Sequence, residues 1–319
     1  MTLSSVTAGT LTSPAPLTPL TPLKPRLRIG LIANRSHQDA AGSALVQLFR
    51  RAEASLRALQ PEWVVVGRTL DAIHSHGLGH LCEPHIRFPY GREGGLMKLV
   101  AHVVNSAPQN SVDAVVYLID PVDPSSVFPE ALALKRQCVI HGKPFLSTLA
   151  SVCEWLELEA LTMGSTTHLS SGRGFALPQE SIALIAHDAM KQKMLKLAEK
   201  HFALLDQFEH RYATGTTGSL LNQLAQRMKG EEAGRNWVQP FLSGPMGGDA
   251  QIAELVLEQK IRRILFLEDP HVARQHEADI QLLERAARTV TDFALVVSDV
   301  DGSDRWLQLM SQRLALSTS

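Results

Sequence analysis

Two short segments in the second half of the chain concentrate residues suited to chemistry on a small anion. Thr214-Gly215-Thr216-Thr217-Gly218 follows an apolar run and precedes a helix predicted over Ser219–Met228. Its glycines let backbone approach a ligand closely, a helix start offers unpaired N–H groups, and three hydroxyls add donors, which together suit a phosphate. Ser243-Gly244-Pro245-Met246-Gly247-Gly248-Asp249 sets three glycines and a proline beside one carboxylate, ahead of a helix predicted over Ala250–Gln259. Around these stand His187, Asp188 and Lys191 after one strand, Asp269-Pro270 after another, and then His276 and Asp279. Acids, histidines and a lysine beside a phosphate-sized anion site make a candidate site if the fold brings them together. Each feature also has a plainer reading: a tight turn at the threonines, helix caps at Asp249 and Asp188, a surface histidine, a solvated lysine.

The elements that position these residues come from a repeat. Leu27–Ala33 returns as Ser181–Ala186, Val64–Thr69 as Tyr212–Thr217, Phe88–Gly95 as Phe241–Gly248, and Val115–Pro121 as Ile264–Pro270. Pairing Ile29 with Ile182, Gly67 with Gly215, Gly91 with Gly244 and Asp120 with Asp269 gives separations of 153, 148, 153 and 149 residues. Near-constant spacing over four ordered landmarks indicates tandem duplication. Within each copy, short apolar strands alternate with helical stretches such as Gly42–Leu59 and Ala189–Leu205, which predicts parallel β-α-β units and a helix-covered sheet. Parallel strands would carry Asp188, Thr214–Gly218, Ser243–Asp249 and Asp269 to one sheet edge, where α/β proteins place ligands.

The motifs IALIAHDAMKQ, YATGTTG, LSGPMGGD and the Asp-Pro segment leading to His276 and Asp279, in that order, resemble methylglyoxal synthase over about Ile182 to Trp306. The resemblance implies an α/β fold of two tandem methylglyoxal synthase-like domains, and a lyase that converts dihydroxyacetone phosphate to methylglyoxal and inorganic phosphate without metal or organic cofactor. It implies that Asp249 is the base and that His276 serves the substrate carbonyl and enediol oxygens. Asp188 and Asp279 become supporting carboxylates, and His187, Lys191, Thr214, Gly215, Thr216, Thr217, Ser243 and Gly244 bind the substrate. It also implies homo-oligomers, and a phosphate-contacting arginine supplied from a neighbouring subunit by a C-terminal segment, a role for which Arg305, Arg313 or an arginine of the first copy are the candidates here. Asp299 stands where the resemblance leads us to expect Asn. The same family resembles the effector-binding region of carbamoyl phosphate synthetase, which makes a phosphate-binding regulatory module the alternative.

In the first copy Arg35 stands opposite Asp188, Leu96 opposite Asp249, and about Val127 and Glu130 opposite His276 and Asp279. Without base and histidine this copy is expected to lack elimination chemistry, while Arg35, Arg68 and Arg92 fall at its strand ends. Its His74, His76, His80, Cys82 and His85 crowd one segment, but their spacing fits no zinc pattern, so no metal is expected.

Lys and Arg number 31 against 32 Asp and Glu, so no global field favours nucleic acid or an anionic membrane. The apolar runs are too short for a membrane helix, and three cysteines without a CxxC pair suit a reducing compartment, making the cytoplasm the expected location. The boundaries read as a disordered tail over 1–25, a degenerate domain over 26–160, a linker over 161–180 and a catalytic domain over 181–319.

Overall fold

The computed structural model describes residues 26–165, 175–271 and 277–318, so the expected tail, residues 166–174 of the expected linker and His276 lie outside the described residues. The repeat becomes two α/β halves. The first runs β1 (Arg28–Ala33), α1 (Ala44–Arg51), α2 (Glu53–Leu59), β2 (Glu62–Val66), α3 (Gly67–Ser75), β3 (His85–Phe88), α4 (Gly95–Val104), β4 (Ala114–Leu118), α5 (Pro129–Ile140), β5 (Phe145–Leu146) and α6 (Leu149–Leu161). The second follows the same plan with β6 (Ser181–Ala186), α7 (Lys191–Lys200), α8 (Phe202–Leu205), β7 (His210–Ala213), α9 (Gly215–Lys229), α10 (Glu231–Gly234) and β8 (Gln239–Pro240). It closes with α11 (Gly248–Leu257), β9 (Arg263–Leu267), α12 (Glu277–Thr289), β10 (Leu295–Val297) and α13 (Val300–Thr318).

Each half holds a five-stranded parallel sheet, ordered β3-β2-β1-β4-β5 and β8-β7-β6-β9-β10. Growth of the sheet reverses between its first and fourth strands, and the crevice outside the carboxyl ends at that reversal is where open parallel sheets bind ligands. Register repeats as well: Ile29 pairs with Ala114 and Ala33 with Leu118, as Ile182 pairs with Arg263 and Ala186 with Leu267. The central strands are apolar on both faces because helices cover both. Ile29, Leu31 and Ala33 enter one core cluster and Ile32 the other; Ile182 and Leu184 oppose Ala183 and Ile185 in the same manner.

Two expected helix starts move. The helix predicted from Ser219 begins at Gly215, so the threonine-glycine run is its first turn rather than a loop, with Thr214 as the extended N-cap. The helix predicted from Ala250 begins at Gly248, which puts Asp249 inside the first turn; the N-cap is Gly247, whose φ of 97° suits glycine. A capping role for Asp249 is thereby excluded. The stretch predicted over Gly42–Leu59 bends at Ala52 into two helices.

The halves are joined by equivalent elements meeting each other: α6 packs on α13, β5 lies beside β10, and α5 reaches α12. Arg263 of β9 is fully buried between Glu154 of α6, at 2.8 Å, and Glu180. Its guanidinium lies 5.5 Å from the ring centre of Phe175 and 5.9 Å from that of Trp306. Arg305 pairs with Glu159 at 2.6 Å and Arg313 with Glu157 at 2.9 Å. On the other flank Lys135 of α5 is sunk between Glu268 and Glu284, and Arg136 donates to the Pro270 carbonyl at 2.7 Å. Burial alone would depress the Lys135 ammonium, but these two carboxylates hold it above the usual lysine range. All three cysteines are free, and burial pushes the Cys82 and Cys153 thiols up to about 12.

Candidate functional site

A cavity of about 250 Å³ opens at the carboxyl ends of β6, β7 and β9. Nine of the residues singled out in the sequence line it: His187, Asp188, Lys191, Thr214, Thr216, Thr217, Ser243, Gly244 and Asp249. Gly215 stands behind it, where a Cβ would lie 2.9 Å from the backbone nitrogen of Ser243; glycine there lets the first turn of α9 seat against the second loop. Asp279 belongs to the first turn of α12, and its side chain, like His276, lies outside the described residues. Pro245 of the second run also lines it, with Ile185, Ala186 and Phe266, and of these Phe266 is the ring that sequence reasoning missed. Phe266 reads in the sequence as one more apolar strand residue, with no local sign that its ring faces the site.

The switch point between β6 and β9 places His187. Its backbone N–H donates to Leu267 O at 3.1 Å, and its ring Nδ1 accepts the Asp269 N–H at 2.9 Å. Accepting at Nδ1 makes the ring neutral and puts its proton on Nε2, a donor. Asp269 therefore acts by holding His187, while its own carboxylate accepts from the His271 N–H. The equivalent bond in the first half runs from the Asp120 N–H to Asn34 Oδ1, also at 2.9 Å.

Asp249 is 7% exposed and turned toward Gly244, where an added Cβ would meet Asp249 Oδ2 at 2.9 Å. Lys191 makes an ion pair with the exposed Asp188 at 2.6 Å, so ammonium and carboxylate stand together at the rim. Thr217 is 2% exposed, and its Oγ1 has no hydrogen-bond partner among the described residues. The N-terminus of α9 adds free backbone N–H groups and the positive end of its dipole.

Gly248 fixes the approach of the second loop, because a Cβ there would lie 1.9 Å from Leu242 O. The same constraint holds in the first half at Gly95 against Pro89 O, at 2.0 Å. Gly248→Ala is expected to cost about 1–3 kcal/mol, as overpacking does, and to weaken anion binding. Urea unfolding and phosphate titration check it, and an unchanged unfolding midpoint would count against the packing described.

Several expected contributors lie elsewhere. Arg305 and Arg313 do not line the cavity; they are held by α6 at the junction. Arg35, Arg68 and Arg92 line a cavity of their own half instead. In the histidine-rich segment His76 bonds to Gln38 O, His85 meets Cys82 O, and Cys82 is fully buried. Among the described residues no group of three or more potential ligands is placed to share a metal ion.

Asp299 likewise sits away from the site, at the start of α13, where its Oδ1 accepts the Gly302 N–H at 2.6 Å. Burial pushes its carboxyl up to about 6. A carboxyl whose folded pKa exceeds its unfolded one favours folding only while protonated, so this contribution is present below about pH 4 and lost as pH rises through 6. At neutral pH the charged form costs about 3 kcal/mol. Asp299→Asn, which keeps an acceptor for Gly302, is expected to stabilise the chain by about 2–3 kcal/mol at pH 7 and to change little at pH 3.5. Urea midpoints that shift equally at both pH values would contradict this.

Among the described residues no helix is long and apolar enough to cross a membrane. No family model matches the chain. It is 39% identical over 125 residues to the methylglyoxal synthase of Actinobacillus pleuropneumoniae, covering 39% of this chain and 75% of that one. With the methylglyoxal synthase of Caldicellulosiruptor saccharolyticus it shares 34% identity over 148 residues, 44% of this chain and 98% of the relative. The crystal structure of methylglyoxal synthase from Elizabethkingia anophelis is 30% identical, covering 41% of this chain and 78% of that one with a TM-score of 0.32. The sequence relations span nearly the whole of one relative and the length of one repeat here: the chain belongs to the methylglyoxal synthase family.

Proposed function

We propose that the second half is a working methylglyoxal synthase, eliminating phosphate from dihydroxyacetone phosphate. The observation that carries this reading is the convergence of a buried carboxylate, a neutral histidine and an anion-binding helix start on one cavity of about 250 Å³. In the reaction, the Asp249 carboxylate removes a proton from the hydroxymethyl carbon, and the carbonyl oxygen takes up the charge as an enediolate. A proton then passes from the terminal hydroxyl to the former carbonyl oxygen. The terminal oxyanion closes to an aldehyde and the C–O bond of the far carbon breaks, phosphate leaving with the electron pair. The resulting enol of methylglyoxal ketonises by taking a proton at that far carbon. Asp249 lies within the first turn of α11, so its carboxylate is held by helix and core rather than by a loop.

The phosphate is held by Lys191, the Thr214, Thr216 and Thr217 hydroxyls, Ser243 and the backbone at Gly244; Thr217 Oγ1 is a buried hydroxyl suited to a phosphate oxygen. His187 donates from Nε2. His276 takes, by resemblance, the carbonyl and enediol oxygens, with Asp188 and Asp279 in support. These steps use side chains and backbone alone. Inorganic phosphate, the second product, should compete for the same donors, and the family resemblance makes a homo-oligomer the expected assembly. The test is release of phosphate from dihydroxyacetone phosphate by the full chain, with the dicarbonyl product trapped in equal amount. Release no faster than without protein sinks the reading.

A further inference from the structure

The first half keeps a cavity where the second half has its site, at the carboxyl ends of β1, β2 and β4, but its volume is about 1110 Å³ against about 250 Å³. The two cavities are built from equivalent positions. Arg35 opens a 3-10 turn after β1 as Asp188 does after β6, and Leu96 is the second residue of α4 as Asp249 is of α11. Two carboxylates are thus replaced by a guanidinium and an isobutyl group. The change removes the base and makes the floor apolar, with Ile32, Val66 and Leu96 exposed to the cavity.

The polar groups that remain ask for a ligand of particular chemistry. The Arg35 side chain makes no ion pair or hydrogen bond among the described residues, whereas Arg68 is paired with Asp39 at 3.1 Å. Three acids of the wall are engaged, Asp39 with Arg68, Asp71 with Arg87 and the Tyr90 hydroxyl, and Asp123 with Ser125, while Glu130 makes no ion pair or side-chain hydrogen bond among the described residues. Gln38 is 2% exposed, and its amide nitrogen donates to Ala33 O and Thr69 Oγ1. Its Oε1 has no partner among the described residues, a buried acceptor on the cavity wall awaiting a donor. Tyr90 adds an aromatic ring to the wall, with the guanidinium groups of Arg87 and Arg92 5.5 Å and 5.7 Å from its centre.

We propose that this cavity is a second ligand site, which binds without turnover a phosphate monoester larger than a triose phosphate. The phosphate meets Arg35 and Arg92, a hydroxyl or N–H of the ligand meets Gln38 Oε1, and the body of the ligand lies on Tyr90 and the apolar floor. The cavity is of small-molecule size, with an apolar patch at Ile32, Val66 and Leu96 among largely polar walls. The position that holds Asp249 in the second half holds Leu96 here, so the base of the proposed elimination is missing.

Calorimetric titration of the full chain tests this, with inorganic phosphate, a hexose monophosphate and a nucleoside monophosphate as separate probes. The expected result is that one of the two esters binds once per chain, at least tenfold more tightly than inorganic phosphate. Its affinity should persist in Lys191→Met, which weakens the second cavity. It should fall at least tenfold in Arg35→Glu, an exposed position whose change leaves the core alone, and in Gln38→Leu. Which ester binds identifies the body of the ligand. Loss in Lys191→Met with no change in Arg35→Glu would put the ligand in the other cavity and overturn the proposal. So would equal affinity for inorganic phosphate, or no binding of any probe at millimolar concentration. The readout is heat of binding, so the outcome is independent of whether the second half eliminates phosphate.

Discussion

Asp249→Asn is expected to lower the rate of phosphate release from dihydroxyacetone phosphate by at least 10³-fold while leaving the fold intact. An amide is isosteric with the carboxylate and keeps an acceptor, but it cannot take a proton. Positioned general bases account for about 10²–10⁴-fold on their own, and in the proposed mechanism Asp249 is the base that begins the reaction. The carboxylate is 7% exposed and held at the second residue of α11, which limits rescue by solvent or by a neighbouring carboxylate. Asp188 is the other carboxylate of the lining, but it is exposed at the rim and tied to Lys191. Binding should survive, since the donors that hold the phosphate belong to other residues. Steady-state phosphate release combined with phosphate competition separates the two effects: kcat should collapse while the inhibition constant changes little. Turnover within tenfold of the parent chain would remove Asp249 from the mechanism.

The second large effect concerns the junction. Arg263→Met is expected to destabilise the chain by about 3–5 kcal/mol, because it leaves Glu154 and Glu180 facing each other with their shared cation gone. Methionine retains apolar contact with Phe175 and Trp306, so the loss is chiefly one of charge rather than volume. Glu154 also accepts the Trp306 indole N–H at 3.0 Å, and that bond survives in Glu154→Gln. The double variant Arg263→Met with Glu154→Gln should therefore recover part of the lost stability, in the way a buried pair replaced together does. Denaturant unfolding of the two single variants and the double completes the cycle. Strict additivity would show that Glu154 and Arg263 do not act as a pair.

The lining of the candidate site was largely legible in the chain because its residues arrive in contiguous runs at strand ends. A glycine-rich run after a strand states both where the chain turns and what it can approach, so Thr214–Thr217 and Ser243–Asp249 could be placed together from the sequence alone. The fold was legible for a related reason: duplication prints each landmark twice, and Asp120 with Asp269 gave the register of the fourth strand. Helix starts were harder, since Gly215 and Gly248 are poor helix formers that sit in first turns for close approach, against their propensity. The junction was not legible at all. Glu154 and Arg263 lie 109 residues apart, Arg305 and Glu159 146 apart, and a single acid or arginine on a helix reads as a solvated surface residue until a partner surface is known. Arg305 and Arg313, candidates for a tail contact to phosphate, are held at that junction instead.

The polarity of that junction has a consequence for which surfaces can recognise each other. Glu154, Glu157 and Glu159 all belong to α6 of the first half, and their partners Arg263, Arg313 and Arg305 all belong to the second. Two first halves brought together by this face would set three carboxylates against three more; two second halves would oppose guanidinium to guanidinium. Only the unlike pairing neutralises the charge it buries. A duplicated protein begins with interchangeable halves and with every chain able to exchange halves with its neighbours. Along α6 the acids sit on the first copy and the bases on the second, while on the α5 flank the signs reverse, with Lys135 of the first half between Glu268 and Glu284 of the second, so each flank accepts only the unlike half. Each chain then closes on itself, and the two copies are free to diverge in their cavities without losing their mutual fit.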